Sequence, residues 1–355
     1  MYMKGDWFDL LEDYRPQPLD LDEETPYSSS RIREMTMKRM TNKKTKPHRL
    51  PVRLLTAAAV AAALTVSALA VSRVLGAGEM FRDYFADDAQ PLTSAQLEAA
   101  DQMGTALGTG VTSNGATITP VAILADRQFC YLRLHIQAPE GVVLPDYTEE
   151  EGCYQLFSPE QEHFLSLTAA DGARLDYTSS LDVLPDDDPT DNEKDLVLWL
   201  ASHPDGTVFS GGQPLMLTLH GLWLQTPDKD YTSIFEGDFP LNLGTPDQGP
   251  SLELDVAGLT WTDETYGFTI TLEEMTLTPL SLTARYTATQ PNDPRVEPGA
   301  GPLEVVLKDG RAVTALKGSA PDGNGCAVQV FDAPLDLEQV ACVRWGGYQI
   351  QLPVR

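Results

Sequence analysis

The stretch Ala116–Ile136, ATITPVAILADRQFCYLRLHI, decides the class of fold. Ala116–Ile123 and Phe129–Ile136 carry apolar and β-branched residues at period two, and Ala125-Asp126-Arg127 between them is a turn signal, so the stretch predicts an antiparallel hairpin. In its second strand Cys130, Leu132, Leu134 and Ile136 fall on one face, and Phe129, Tyr131, Arg133 and His135 on the other. Toward the C-terminus, similar runs predict strands at Tyr154–Phe157, Phe164–Thr168, Asp195–Leu200, Leu215–Leu224 and Phe239–Leu243, separated by turns rich in Gly, Pro and Asp. Strand following strand without intervening helices is the pattern of antiparallel sandwiches.

The composition breaks at Leu243–Pro250 (LGTPDQGP), and a second β series begins that repeats the first. Gly115-x-Thr117-Ile118-Thr119 recurs as Gly267-x-Thr269-Ile270-Thr271, an offset of 152, and at the same offset Cys130, Leu132 and Leu134 fall on Leu282, Ala284 and Tyr286. The fold expected is mainly β, with two tandem immunoglobulin-like β-sandwich domains over 107–246 and 247–355.

N-terminal to the hairpin, Met80–Phe85 and Ser94–Met103 predict short helices or a stalk over 77–106. Before them stands Leu54–Ser72, LLTAAAVAAALTVSALAVS, nineteen residues without a charge. As a helix it is roughly 28 Å long, close to the ~30 Å hydrocarbon core of a bilayer. Residues 31–53 carry nine basic residues and one acid, Glu34, whereas Arg73 and Arg82 beyond the run face Glu79, Asp83, Asp87 and Asp88. Ala68-Leu69-Ala70 also fits a signal-peptide cleavage site, and an Ala-rich helix can be buried in a soluble core. The long N-terminal extension and the charge asymmetry favour an uncleaved transmembrane helix at 54–76. By the positive-inside rule the protein is then a single-pass membrane protein, N-terminus cytoplasmic and C-terminus extracellular.

The cytosolic tail is 1–53. Trp7, Leu10, Leu11 and Tyr14 fall at i, i+3, i+4 and i+7, with Phe8 beside them and acids on the opposite face. A helix so short is marginal alone, and such a stripe suits docking on a partner's groove. An acidic disordered tail with incidental aromatics fits the same residues. The basic stretch that follows meets the lipid bilayer.

The chain of 355 residues has a net charge of −27, and residues 54–355 alone carry −29. An exterior part that acidic repels nucleic acid. Cys130, Cys153, Cys326 and Cys342 form two sequence-local pairs, read as one disulfide in each β domain with four buried thiols as the alternative; Cys326–Phe331 and Val340–Trp345 predict neighbouring strands, which would let Cys326 and Cys342 bridge. No G-x-S-x-G, S-x-x-K, H-E-x-x-H or phosphate loop occurs, no cysteine–histidine spacing suits a metal, and the acidic loop Asp186–Glu193 lacks the EF-hand pattern. The expectation is a protein without catalytic residues, metal or cofactor.

Met80–Phe85 (MFRDYF), Gly110–Gly141 (GVTSNGATITPVAILADRQFCYLRLHIQAPEG) and the closing Arg344-Trp345-Gly346-Gly347-Tyr348 resemble a Gram-positive single-pass membrane family with a β-rich ectodomain of unknown function. Its basic cytosolic stretch resembles Arg31–Met40 (RIREMTMKRM). Such proteins are often encoded beside extracytoplasmic-function sigma factors, so the resemblance implies an anti-sigma-like regulator. Residues 1–53 would then capture a sigma factor, and the ectodomain would sense or bind an unidentified extracellular signal. The H-x-x-x-C-x-x-C pattern of zinc-containing anti-sigma domains is absent here, which leaves sigma binding to the tail. The alternative is a cell-surface adhesin or wall-binding module with no regulatory tail.

Overall fold

The computed structural model describes residues 76–86, 91–147, 152–156, 165–186, 188–202, 209, 212–228, 230–246, 249–289, 303–313 and 325–353. Trp7, Phe8, Leu10, Leu11, Tyr14 and the apolar run Leu54–Ser72 lie outside these residues. Among the described residues no helix is long and apolar enough to cross a membrane.

Three short helices open the described chain: α1 (Ala77–Met80), α2 (Arg82–Phe85) and α3 (Ser94–Met103). Thr93 caps α3 in a capping box, its hydroxyl accepting the Gln96 N–H while the Gln96 side chain accepts the Thr93 N–H. Ten strands follow: β1 (Gly104–Ala106), β2 (Val111–Ser113), β3 (Ala116–Ala125), β4 (Phe129–Gln137), β5 (Cys153–Gln155), β6 (Ser166–Ala169), β7 (Tyr177–Val183), β8 (Glu193–Ser202), β9 (Leu215–Gln225) and β10 (Tyr231–Gly244). One sheet runs β1-β3-β4-β8-β7 with β2 also on β3, and the other runs β10-β9-β5 with β6 also on β9. Ile118, Leu132, Leu134, Leu196 and Leu198 from the first meet Leu167, Leu217, Leu219, Phe239 and Leu241 from the second in one buried core. The alternation of β4 thus sends its even-numbered residues inward, as expected.

The remaining strands are β11 (Leu252–Glu253), β12 (Thr260–Asp263), β13 (Phe268–Leu277), β14 (Ser281–Ala288), β15 (Leu303–Leu307), β16 (Ala312–Val313), β17 (Cys326–Val330), β18 (Val340–Trp345) and β19 (Tyr348–Gln351). They form the sheets β11-β13-β14-β17, with β12 on β13, and β16-β15-β18-β19, which enclose a second core around Ile270, Leu272, Leu282, Val305, Val343 and Trp345. The repeat seen in the sequence is a repeat of structure. β13 occupies the ten positions of β3 at an offset of 152, and β14 starts at the equivalent of the first residue of β4. Both hairpins carry a bulge at the same place, between Pro120 and Ala122 and between Leu272 and Glu274.

Two expectations need correction. Cys326 and Cys342 do not stand on neighbouring strands, because β17 pairs with β14 whereas β18 pairs with β15 and β19 in the opposite sheet. Of the two readings of 77–106 the short helices are the ones that form, α3 over the expected Ser94–Met103, and they are packed in place, since Ala77, Met80, Phe81, Phe85, Ala100 and Met103 are all buried. β10 begins at Tyr231, well before Phe239, because bulges between Ser233 and Phe235 and between Glu236 and Phe239 break the period-two pattern by which its first half would be legible. The polar strand β7 also escaped sequence reading, since it lies at a sheet edge with Thr178, Ser179 and Ser180 exposed.

Candidate functional site

The outer face of the first sheet is not a solvent face. Ala122 and Leu124 of β3, Phe129 and Tyr131 of β4, and Val197 of β8 pack in a third buried cluster with Met80, Phe81 and Phe85 from the helices. The same cluster takes Leu280, Val328 and Val330 from the second sheet pair. The helices are therefore wedged where the two sheet pairs meet. Aromatic rings dominate the contact: Phe85 and Tyr131 meet edge to face at 5.1 Å, and Tyr84 and Tyr131 at 5.4 Å. The Tyr131 hydroxyl donates to the Phe331 carbonyl at 3.3 Å, joining the two sheet pairs directly.

Polar contacts pin the same helices from their outer side. Arg133 of β4 donates to Asp83 of α2 at 2.7 Å, to Asp195 of β8 at 2.6 Å, and to the Met80 carbonyl that ends α1. His135 Nδ1 lies 2.7 Å from the other oxygen of Asp195, its direct cross-strand partner, and His135 Nε2 lies 4.0 Å from Glu193. Burial works against the charged imidazole, but the hydrogen bond and charge of Asp195, with Glu193, raise its pKa above the ordinary value. Burial likewise opposes ionisation of Asp195, yet His135 and Arg133 outweigh it and hold the carboxyl at about 2.

Beside this junction an open cavity of about 700 Å³ lies between β7 of the first sheet and β5 of the second. Tyr147 and Tyr154 form part of its wall as an edge-to-face pair with centroids 5.2 Å apart. The Tyr154 hydroxyl donates to the Pro145 carbonyl at 2.7 Å, and burial raises its pKa. Two aspartates are among the cavity's lining residues. Asp182 accepts the Tyr84 hydroxyl at 2.6 Å, so one of its walls is hydrogen-bonded to α2. Asp146 accepts at 2.8 Å from Lys194, whose wholly buried ammonium also donates to Asp186 at 2.7 Å. Burial opposes the Lys194 charge, but the two carboxylates raise its pKa overall, so it stays an ammonium.

Of the residues singled out by sequence, Cys153 lines the cavity and is exposed, Cys130 is buried in the first core, and Cys326 and Cys342 are buried on opposite sheets of the second pair. No disulfide joins them in this structure. Among the described residues no group of three or more His, Cys, Asp or Glu is arranged to hold a metal. Within the acidic loop, Asp186 is engaged by Lys194, Asp188 accepts from Thr190, and Asp191 accepts the Glu193 N–H. Sequence reading missed the pairing of Arg133 with Asp195 and of Lys194 with Asp146 and Asp186. The available signal was Lys194-Asp195 at the head of an otherwise apolar strand, but only the register of β8 on β4 reveals the partners.

No protein-family description and no curated protein sequence matches the chain. A crystal structure of a conserved domain protein from Bacillus anthracis is similar over 73% of this chain and 83% of its own, at 15% identity and a TM-score of 0.44. A crystal structure of S. aureus TarS, residues 217–571, is similar over 72% and 73%, at 10% identity and a TM-score of 0.15. At these TM-scores neither likeness bears on fold or function.

Proposed function

We propose that this chain is a single-pass, anti-sigma-like membrane regulator. Residues 1–53 hold an extracytoplasmic-function sigma factor at the cytoplasmic face, 54–76 span the membrane, and two immunoglobulin-like sandwiches outside respond to a signal. One observation carries the reading. Only four residues separate Ser72 from α1, and α1 and α2 are built into the apolar cluster shared by both sheet pairs. A protein that merely displays a binding domain gains from a loose stalk. Here a shift of one sheet pair against the other would be felt by α1 and α2, which pack on both. Capture would be steric, with Trp7, Leu10, Leu11 and Tyr14 as apolar anchors, and release would follow rearrangement outside.

The test is co-purification of the full-length protein from membranes, with bound proteins identified by mass spectrometry. A sigma factor recovered with the wild type and lost with Trp7→Ala plus Leu11→Ala, both proteins being membrane-inserted, supports the reading. Equal recovery by the double variant, or no sigma factor at all, overturns it. The cavity favours the second reading, a surface binding module, for which 1–30 is dispensable.

A further inference from the structure

We propose that the cavity between β7 and β5 binds a short extended peptide bearing a lysine-type ammonium, and that Tyr84 reports its occupancy to α2. The shape argument comes from which residues line it. Leu181, Asp182, Val183 and Leu184 do so consecutively, as do Gly152, Cys153 and Tyr154. A strand face exposes alternate residues, so consecutive lining residues mean that the cavity runs along strand edges. β7 is the terminal strand of its sheet, with β8 its only hydrogen-bonded neighbour among the described residues. An edge offers main-chain N–H and C=O groups to an added extended segment. A volume of about 700 Å³ accommodates a few residues of peptide.

The charge argument selects among peptides. The lining includes Asp146 and Asp182 and, among the described residues, no basic residue. Lys194 lies behind Asp146, wholly buried and already shared with Asp186, so its charge does not reverse the sign of the wall. The Tyr147–Tyr154 pair adds ring faces that favour a cation. An ammonium approaching Asp182 competes with, or polarises, its contact from Tyr84. Tyr84 sits in α2 against Phe81, Phe85 and Tyr131, so this carboxyl links the cavity to the helices. The coupling half of the proposal rests on the signalling reading above, whereas the binding half does not.

The experiment is calorimetric titration of the full-length protein in detergent with N-acetyl-Ala-Lys-Ala amide. The control is the same peptide with norleucine in place of lysine. The lysine peptide should bind about tenfold or more tighter than the norleucine peptide, and Asp182→Asn should remove about that factor. Equal affinities, or no binding of either peptide to the wild type, overturn the site without reliance on any variant's folding. Methylation of the central peptide N–H should weaken binding as well; unchanged affinity rules out edge pairing. Tyr84→Phe should bind the lysine peptide yet make sigma-factor retention insensitive to it, and retention that still responds overturns the coupling. If the tail retains no sigma factor while the peptide contrast holds, the functional reading fails and the site stands.

Discussion

The side chain of Asp126 accepts the hydroxyl of Thr278 at 2.8 Å, and these two residues are each other's equivalents in the internal repeat, 152 positions apart. Each closes its own hairpin turn in the same way. Asp126 accepts the N–H groups of Gln128 and Phe129, and Thr278 those of Leu280 and Ser281. The Ser281 hydroxyl also donates to Asp126. The two copies therefore meet turn to turn at a fully buried polar contact, which has no water to replace a lost partner.

Asp126→Ala should accordingly remove the shared acceptor of two hydroxyls and two backbone N–H groups, costing on the order of 2–4 kcal/mol. Thr278→Val, which removes one donor and one turn cap, should cost about 1–2 kcal/mol. Urea unfolding of both variants measures this. An Asp126→Ala protein as stable as wild type would mean that the turn-to-turn contact does not hold the sheet pairs together.

The His135–Asp195 pair predicts how stability follows pH. The folded pKa of His135 lies above its ordinary 6.5, so its contribution is complete below 6.5 and is lost as pH rises through the folded value. Asp195 is held at about 2, below its ordinary 3.8, so its contribution is present above 3.8 and is lost as pH falls toward 2. The two describe one interaction and are not added. Thermal unfolding across pH 4–9 should show Tm declining on the alkaline side, and His135→Gln should flatten that limb. A limb unchanged in the variant would assign the decline to another group.

Phe81 is fully buried in the cluster shared by the helices and both sheet pairs. Phe81→Ala should cost about 3–5 kcal/mol, comparable to truncation of a core aromatic anywhere in the fold. Hydrogen exchange should also show α1 and α2 losing protection together with β17, whereas Leu132→Ala in the first core should loosen β4 and β9 instead. Loss confined to the helices would mean that the second sheet pair does not depend on them.

Thiol reactivity separates the cysteines. With a bulky maleimide, native protein should label at Cys153 alone, since Cys130, Cys326 and Cys342 are buried. In denaturant without reductant all four should react. Fewer than four would show that the disulfides expected from sequence spacing form in the purified protein.

The hairpin at Ala116–Ile136 was legible because inside-outside alternation has period two wherever a strand has one buried face. The offset of 152 was legible because Gly115 and Gly267, both with positive φ, close hairpins that only a residue without a β-carbon enters without strain. The cavity and its charge were not legible. Asp146, Asp182, Lys194 and Tyr154 come from four segments that no local pattern connects.

The amino-acid sequence by itself determined that the chain is mainly β and that its two β series are copies, because hydrophobic period and turn chemistry are local properties of a strand and its neighbour. It could not determine what covers the second face of β4. Phe129 and Tyr131 alternate correctly with the core residues, yet they meet helices from before the first strand and a strand some two hundred residues later. Apolar burial is non-directional and needs only surface removed from water. Which surface does so is settled by the packing of the sheet pairs against one another, so the wedge of α1 and α2 between them is a property of the tertiary structure alone.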